Sequence, residues 1–164
     1  MSTKNVIENL AAHLAIRDLI DRYTNAINQR TWAEIEGLFA ADAIWDVRGT
    51  EPGGPEVHVE GASNIAQAIE TILGTQSLWV QSNHASVITV DGAIATATTT
   101  MNEYTQGQGD AARTTDWGTY FDTMVQESDG EWRFKKRLYR FTWMDTEGLP
   151  GQVMTKFPLA RRPE

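Results

Sequence analysis

The chain has 164 residues, 41% of them apolar, with a formal charge of −8 and a sequence pI near 4.9. That length suits one domain with enough apolar content for a core. The acidic balance argues against a nucleic-acid or anionic-membrane partner, because phosphate binding needs a basic surface, and with no cysteine in the sequence disulfides, thiolate catalysis and cysteine metal sites are excluded.

No apolar stretch approaches the roughly 20 residues of a membrane span. The first residues lack the basic-then-apolar order of a signal peptide. The sequence therefore predicts a cytoplasmic protein, one domain over 1–164 with a core over 10–144 and an irregular tail over 145–164. Six Trp and five Phe suit a cavity for an aromatic or alicyclic ligand as well as an ordinary core.

In chain order, Ile16, Leu19, Ile20, Tyr23 and Ile27 recur at three- and four-residue intervals and predict a helix over 5–29. Thr31 followed by Glu34 reads as a capping box opening a second helix with Trp32, Ile35, Leu38 and Phe39. A strand is predicted over 43–48, with Trp45 and Val47 on one side, then a Pro/Gly loop over 51–55 and a short strand over 57–60. A third helix over 63–73 turns Ile65, Ala68, Ile69 and Ile72 inward. Four strands follow over 78–90, 93–105, 114–127 and 131–144, joined by Asp91-Gly92, a polar loop over 106–112, and Ser128-Asp129-Gly130. Helices on one side of a curved antiparallel sheet make an α+β fold with one core and a pocket on the concave face.

The segments Ile16–Tyr23, Ala26–Trp32 and Leu38–Ala43, with Asp129-Gly130-Glu131-Trp132-Arg133-Phe134 near the end, resemble SnoaL-like domains of the nuclear-transport-factor-2-like superfamily. The resemblance implies a cone-shaped α+β barrel. Its pattern is most similar to the scytalone dehydratase, bile-acid dehydratase and hexachlorocyclohexane dehydrochlorinase group. That group pairs a strand histidine with an aspartate ending the first helix, often with a helix tyrosine and in some members an arginine on the last strand. The resemblance assigns these places to His84, Asn28, Tyr23 and Arg140. Asn28 departs from the pattern. An amide cannot accept a proton, though it can orient a neutral imidazole. Ketosteroid isomerase carries an asparagine at a comparable spacing, but Val47 stands where that enzyme has its base.

Alternation places His84 with Leu78, Val80, Ile88 and Val90, facing the apolar side unless a bulge shifts the register. Imidazole titrates near neutrality and suits general acid–base work. Tyr23 can donate to a substrate oxygen. Arg140 shares its nominal face with Trp132, Phe134, Leu138 and also Lys136, so a twist or bulge is expected there. Trp45, Val47, Met101, Trp117 and Tyr120 are the candidate substrate walls. Three histidines without His-x-His or His-Glu-x-x-His spacing predict no metal, and without a P-loop or Gly-x-Gly-x-x-Gly no nucleotide cofactor is expected.

With the resemblance, these residues predict a cofactor-independent, dehydratase-like lyase acting by proton transfer on a small aromatic, polyketide-like or steroid-like metabolite. An isomerase or cyclase would use the same parts. A non-catalytic ligand-binding or assembly subunit, like the small subunit of ring-hydroxylating dioxygenases, is the other class. A homo-oligomer is expected through an apolar strip of Trp79, Tyr139, Phe141 and Trp143, with the resemblance favouring a trimer over a dimer. Replacing Asn28 by Asp is expected to change the pH dependence, and to raise activity if the charge completes a dyad. Should His84 prove to be a packing residue, the chemistry would move to Tyr23 or an unrecognised carboxylate.

Overall fold

The computed structural model describes residues 3–49, 56–107 and 113–146. Among them are three α-helices, α1 (Thr3–Gln29), α2 (Trp32–Ile35) and α3 (Ala62–Leu73), and a 3-10 turn over Glu36–Leu38. Six strands accompany them: β1 (Phe39–Arg48), β2 (Glu56–Glu60), β3 (Leu78–Asp91), β4 (Ile94–Gln106), β5 (Arg113–Gln126) and β6 (Trp132–Asp145). The strands form one unclosed sheet in the order β2-β1-β6-β5-β4-β3; β1 runs parallel to β6 and every other pairing is antiparallel. The predicted α+β fold is the one observed. The loop expected over 51–55, most of the one over 106–112, and the tail from 147 onward lie outside the described residues.

The sheet curls around α1. Ile16, Leu19, Ile20, Tyr23 and Ile27 form the buried helix face and meet Phe39, Met124 and Phe134 on the concave side. Ile65, Ile69 and Leu73 of α3 close the β1 side. Ile72, expected inward, is 38% exposed, because Leu73 takes the core position at the helix end. The expected capping box at Thr31 does not form. Glu34 N–H donates to the Thr31 carbonyl, and the Thr31 hydroxyl has no partner. The second helix is correspondingly one turn long, and β1 begins at Phe39 rather than at 43.

Two of the sheet's register shifts decide where the candidate polar side chains point. In β3 the register shifts between Asn83 and Ser86. Gln81 and Asn83 point inward before it, and Ser86, Ile88 and Val90 after it, which leaves His84 and Ala85 exposed. In β6 the pairing with β5 shifts opposite Thr123/Met124. Trp132 and Phe134 point inward before it, and Arg137 and Tyr139 after it. An extra residue inverts every later assignment in a strand, because side chains alternate with a period of two.

The expected apolar strip changes for the same reason. Trp143 is exposed, but Tyr139 is buried, and Trp79 and Phe141 pack partly against the core. The convex face instead shows Val87, Trp117, Phe121 and Trp143.

Candidate functional site

The floor of the cone is built around one buried cation. Arg137 donates from Nη1 to Asp122 Oδ2 at 3.1 Å, with both side chains fully buried. Its guanidinium lies 3.7 Å from the Tyr120 ring centre, 4.1 Å from Tyr23 and 4.3 Å from Phe134. Three ring faces stabilise a desolvated cation that an apolar wall would not. Burial lifts Asp122 to about 6 against the pull of Arg137. Burial would lower Arg137, but the Asp122 charge beside it and the neighbouring Tyr120 and Tyr23 hold it above its ordinary value.

Above the floor a polar row crosses three strands. Gln81, Glu103 and Asp116 are directly opposed in register on β3, β4 and β5, and they are only 4%, 4% and 2% exposed. Gln81 Nε2 donates to Glu103 Oε1 and lies 3.5 Å from the Tyr120 hydroxyl. The Tyr139 hydroxyl donates to Asp116 Oδ1 at 2.5 Å. Burial, and then the Asp116 charge, push Glu103 up to about 8, against the hydrogen bond from Gln81. Burial raises Asp116 to about 6, against the Tyr139 hydrogen bond. Near neutrality one carboxyl of this coupled pair holds a proton and the other is ionised. Val47, Trp79 and Phe141 flank the row and are half-buried.

α1 fixes this row from the sheet edge. Asn28 Nδ2 donates to the Gln81 carbonyl at 2.9 Å, and Gln81 N–H donates to Asn28 Oδ1 at 2.8 Å. The side-chain amide thus replaces a strand peptide on the exposed edge of β3. One turn earlier, Thr24 accepts from Asn83 Nδ2 at 2.5 Å.

The structure separates the residues that the sequence grouped. Tyr23, Trp45, Val47, Met101 and Tyr120 face the interior. Tyr23 is fully enclosed, with edge-on contacts to Phe39, Phe134 and Tyr120, and burial raises its hydroxyl to about 12. His84 does not face the apolar side. It stands on the convex face, its ring stacked on Trp117 at 5.0 Å and Nε2 3.1 Å from Asn102 Oδ1. Trp117 is likewise outside, 40% exposed. Arg140 is exposed, and the inward arginine is Arg137. Asn28 orients Gln81 rather than His84. Two surface grooves, one along the first half of α1 and one between α2 and α3, contain none of these residues.

The sequence reading missed Glu103, Asp116, Asp122 and Arg137. A signal existed for the first three: Glu103 shares parity with Met101, and Asp116 and Asp122 with Tyr120. Arg137 had no such signal, since only the β6 irregularity turns it inward.

A six-stranded sheet curled over a long helix, with helices gathered on one side and ionisable groups on the concave face, defines an α+β cone of the nuclear-transport-factor-2-like class. Residues 8–138 match the SnoaL-like domain, and the chain belongs to that family. No curated protein matches the sequence significantly. Among solved structures, it is similar to a proposed scytalone dehydratase from Novosphingobium aromaticivorans, at 22% identity and a TM-score of 0.71 over 94% of this chain and 97% of that one. The hexachlorocyclohexane dehydrochlorinase LinA-type3 from Novosphingobium barchaimii matches at 15% identity and a TM-score of 0.75, over 91% and 97%. The beta subunit of a proposed aromatic-ring-hydroxylating dioxygenase from Novosphingobium aromaticivorans matches at 19% identity and a TM-score of 0.65, over 80% and 90%. At these identities the likeness is one of fold.

Proposed function

We propose that the chain is a cofactor-independent lyase of the dehydratase type, moving protons on a small ring-bearing metabolite inside the cone. The observation that carries this reading is the buried Glu103–Asp116 pair, an acid and a base on adjacent strands at neutral pH. Glu103 gives its proton to a departing hydroxyl while Asp116 takes one from the neighbouring carbon. Water leaves, a carbon–carbon double bond forms, and the proton passes from Asp116 to Glu103 to reset the pair. Tyr139 tempers the basicity of Asp116, Gln81 holds Glu103, and Trp45 and Val47 supply apolar wall. The family membership and the fold shared with a proposed dehydratase and a dehydrochlorinase support the same class.

The test uses 3-hydroxy-1-tetralone, a β-hydroxy ketone whose dehydration yields fluorescent 1-naphthol. Glu103→Gln should lose about 10²–10⁴-fold in turnover, the usual size of a general acid–base contribution. His84→Gln should stay near wild type, and a chelated, dialysed sample should keep its rate. The reverse order of the two variants would return the chemistry to His84.

A second reading, a non-catalytic assembly subunit, draws on the exposed Trp117, Phe121 and Trp143 of the convex face and on the fold shared with a dioxygenase beta subunit. It predicts no turnover of any β-hydroxy ketone, and a stable complex with a larger chain that survives Glu103→Gln.

A further inference from the structure

The polar row has an unbalanced set of donors and acceptors. Gln81, 96% buried on the basis of its 4% exposure, leaves its Oε1 without a partner while its Nε2 serves Glu103. Of the neighbouring carboxyls, Glu103 holds its proton near neutrality, while Asp116 is ionised and receives a single side-chain donor among the described residues, from Tyr139. A buried acceptor left unpaired is costly, so the Gln81 end of the row favours a ligand that brings hydrogens. The unpaired buried N–H donors among the described residues are the Trp45 and Trp79 indole nitrogens and Arg137 Nε and Nη2, the last two within the ring-enclosed floor.

Charge points the same way. Among the described residues Arg137 is the one buried cation. Asp122 already pairs with it, and three aromatic rings enclose it. No positive charge on the described concave face is left over to balance Glu103 and Asp116. An anionic ligand would approach the like charge of the pair at low dielectric, within a chain of formal charge −8.

We propose that the cone takes a neutral or cationic ring compound whose hydroxyl or ammonium hydrogens are received by Gln81 and by the ionised carboxylate of the Glu103–Asp116 pair, and that it turns away carboxylates and phosphates. This inference rests on the cone being the site, as in the proposed lyase function, and it narrows the substrate to alcohols and amines on an apolar frame.

Tetralin, 2-tetralol, 2-aminotetralin and tetralin-2-carboxylate share one ring frame and differ in a single group. Each is titrated calorimetrically into the full chain at pH 7. The expected order is amine tightest, then alcohol, with the carboxylate at least 10-fold weaker than the alcohol. The double variant Glu103→Gln/Asp116→Asn should lose the preference for the amine over the alcohol. Gln81→Leu, which leaves both acids in place, should lose the preference for the alcohol over tetralin. Carboxylate binding as tight as that of the alcohol overturns the inference and leaves the cone as the site. Binding of the whole series unaltered in Gln81→Leu and in the double variant overturns the cone itself, and so does absence of binding by every probe.

Discussion

Asn28 is the residue at which the family pattern and this structure disagree most sharply, and Asn28→Asp tests which one governs. The amide donates to the Gln81 carbonyl at 2.9 Å and accepts from the Gln81 N–H at 2.8 Å. A carboxylate of the same shape keeps the second bond and loses the first. It also sets a negative oxygen against a carbonyl oxygen at the same separation. Leaving a partly buried acceptor unpaired costs about 1–3 kcal/mol, and the repulsion adds to it. At neutral pH the variant should therefore be destabilised by roughly 2–4 kcal/mol.

The pH dependence has a definite sign. A protonated carboxyl can again donate to the carbonyl, so the folded variant holds this proton above the ordinary aspartate value. Its contribution is full below the unfolded pKa and lost as pH rises through the folded one. The deficit should be small near pH 4.5 and complete by pH 7.5. Urea midpoints of wild type, Asn28→Asp and Asn28→Ala at both pH values measure it, with the alanine deficit expected to be the same at each. Turnover of Asn28→Asp should fall as Gln81 shifts from Glu103. An undiminished midpoint at pH 7.5, or a gain in turnover, would mean that this position works as half of a dyad.

Two further outcomes follow from packing. A Cβ at Gly118 would lie 2.3 Å from the Tyr139 ring and hydroxyl. That ring is wedged against Tyr120 at 4.9 Å and Phe141 at 4.8 Å. Gly118→Ala should therefore displace Tyr139 from Asp116 at a cost of about 2–5 kcal/mol, combining overpacking with a lost charge-assisted hydrogen bond; a urea midpoint matching wild type would refute the close approach. The convex face sets Trp117 beside Trp143 and Phe121 beside Leu138, and such an exposed apolar patch predicts self-association. Light scattering at micromolar concentration should give a multiple of 18.3 kDa, with a trimer preferred, and the mass of one chain would refute it.

The parts of the fold that were legible in the sequence are those whose periodicity is unbroken. The face of α1 from Ile16 to Ile27 is buried as its spacing predicts, and Tyr23 with it. β4 pairs with β5 without a register shift and alternates in burial up to Met101, which lies inside as expected. His84 and Arg140 were misplaced for one reason: each lies at or beyond a register shift. A bulge costs little and leaves almost no mark in composition, yet it exchanges the two faces of a strand. Glu103 and Asp116 were missed differently. Their parity was readable from Met101 and Tyr120, but a strand carboxylate reads by default as solvent-facing, and nothing local announces that two of them are opposed on a buried concave surface.

The cone holds two buried ionic arrangements, and the contrast between them bears on function. Arg137 and Asp122 balance each other's charge and close the floor with aromatic rings. Glu103 and Asp116 have no such partner among the described residues. Like charges directly opposite in a sheet are destabilising, and an apolar pair at these positions would bury more cheaply than two acids. The fold tolerates them by keeping one of them protonated: burial and the Asp116 charge lift Glu103 to about 8, and burial lifts Asp116 to about 6. A pair whose ionisation straddles neutrality can exchange a proton with a bound molecule in either direction. The floor pair differs in its charge balance: burial lifts Asp122 to about 6 as well, but the Arg137 guanidinium beside it already offsets its charge. The uncompensated pair is therefore the one on which the proposed proton transfer rests.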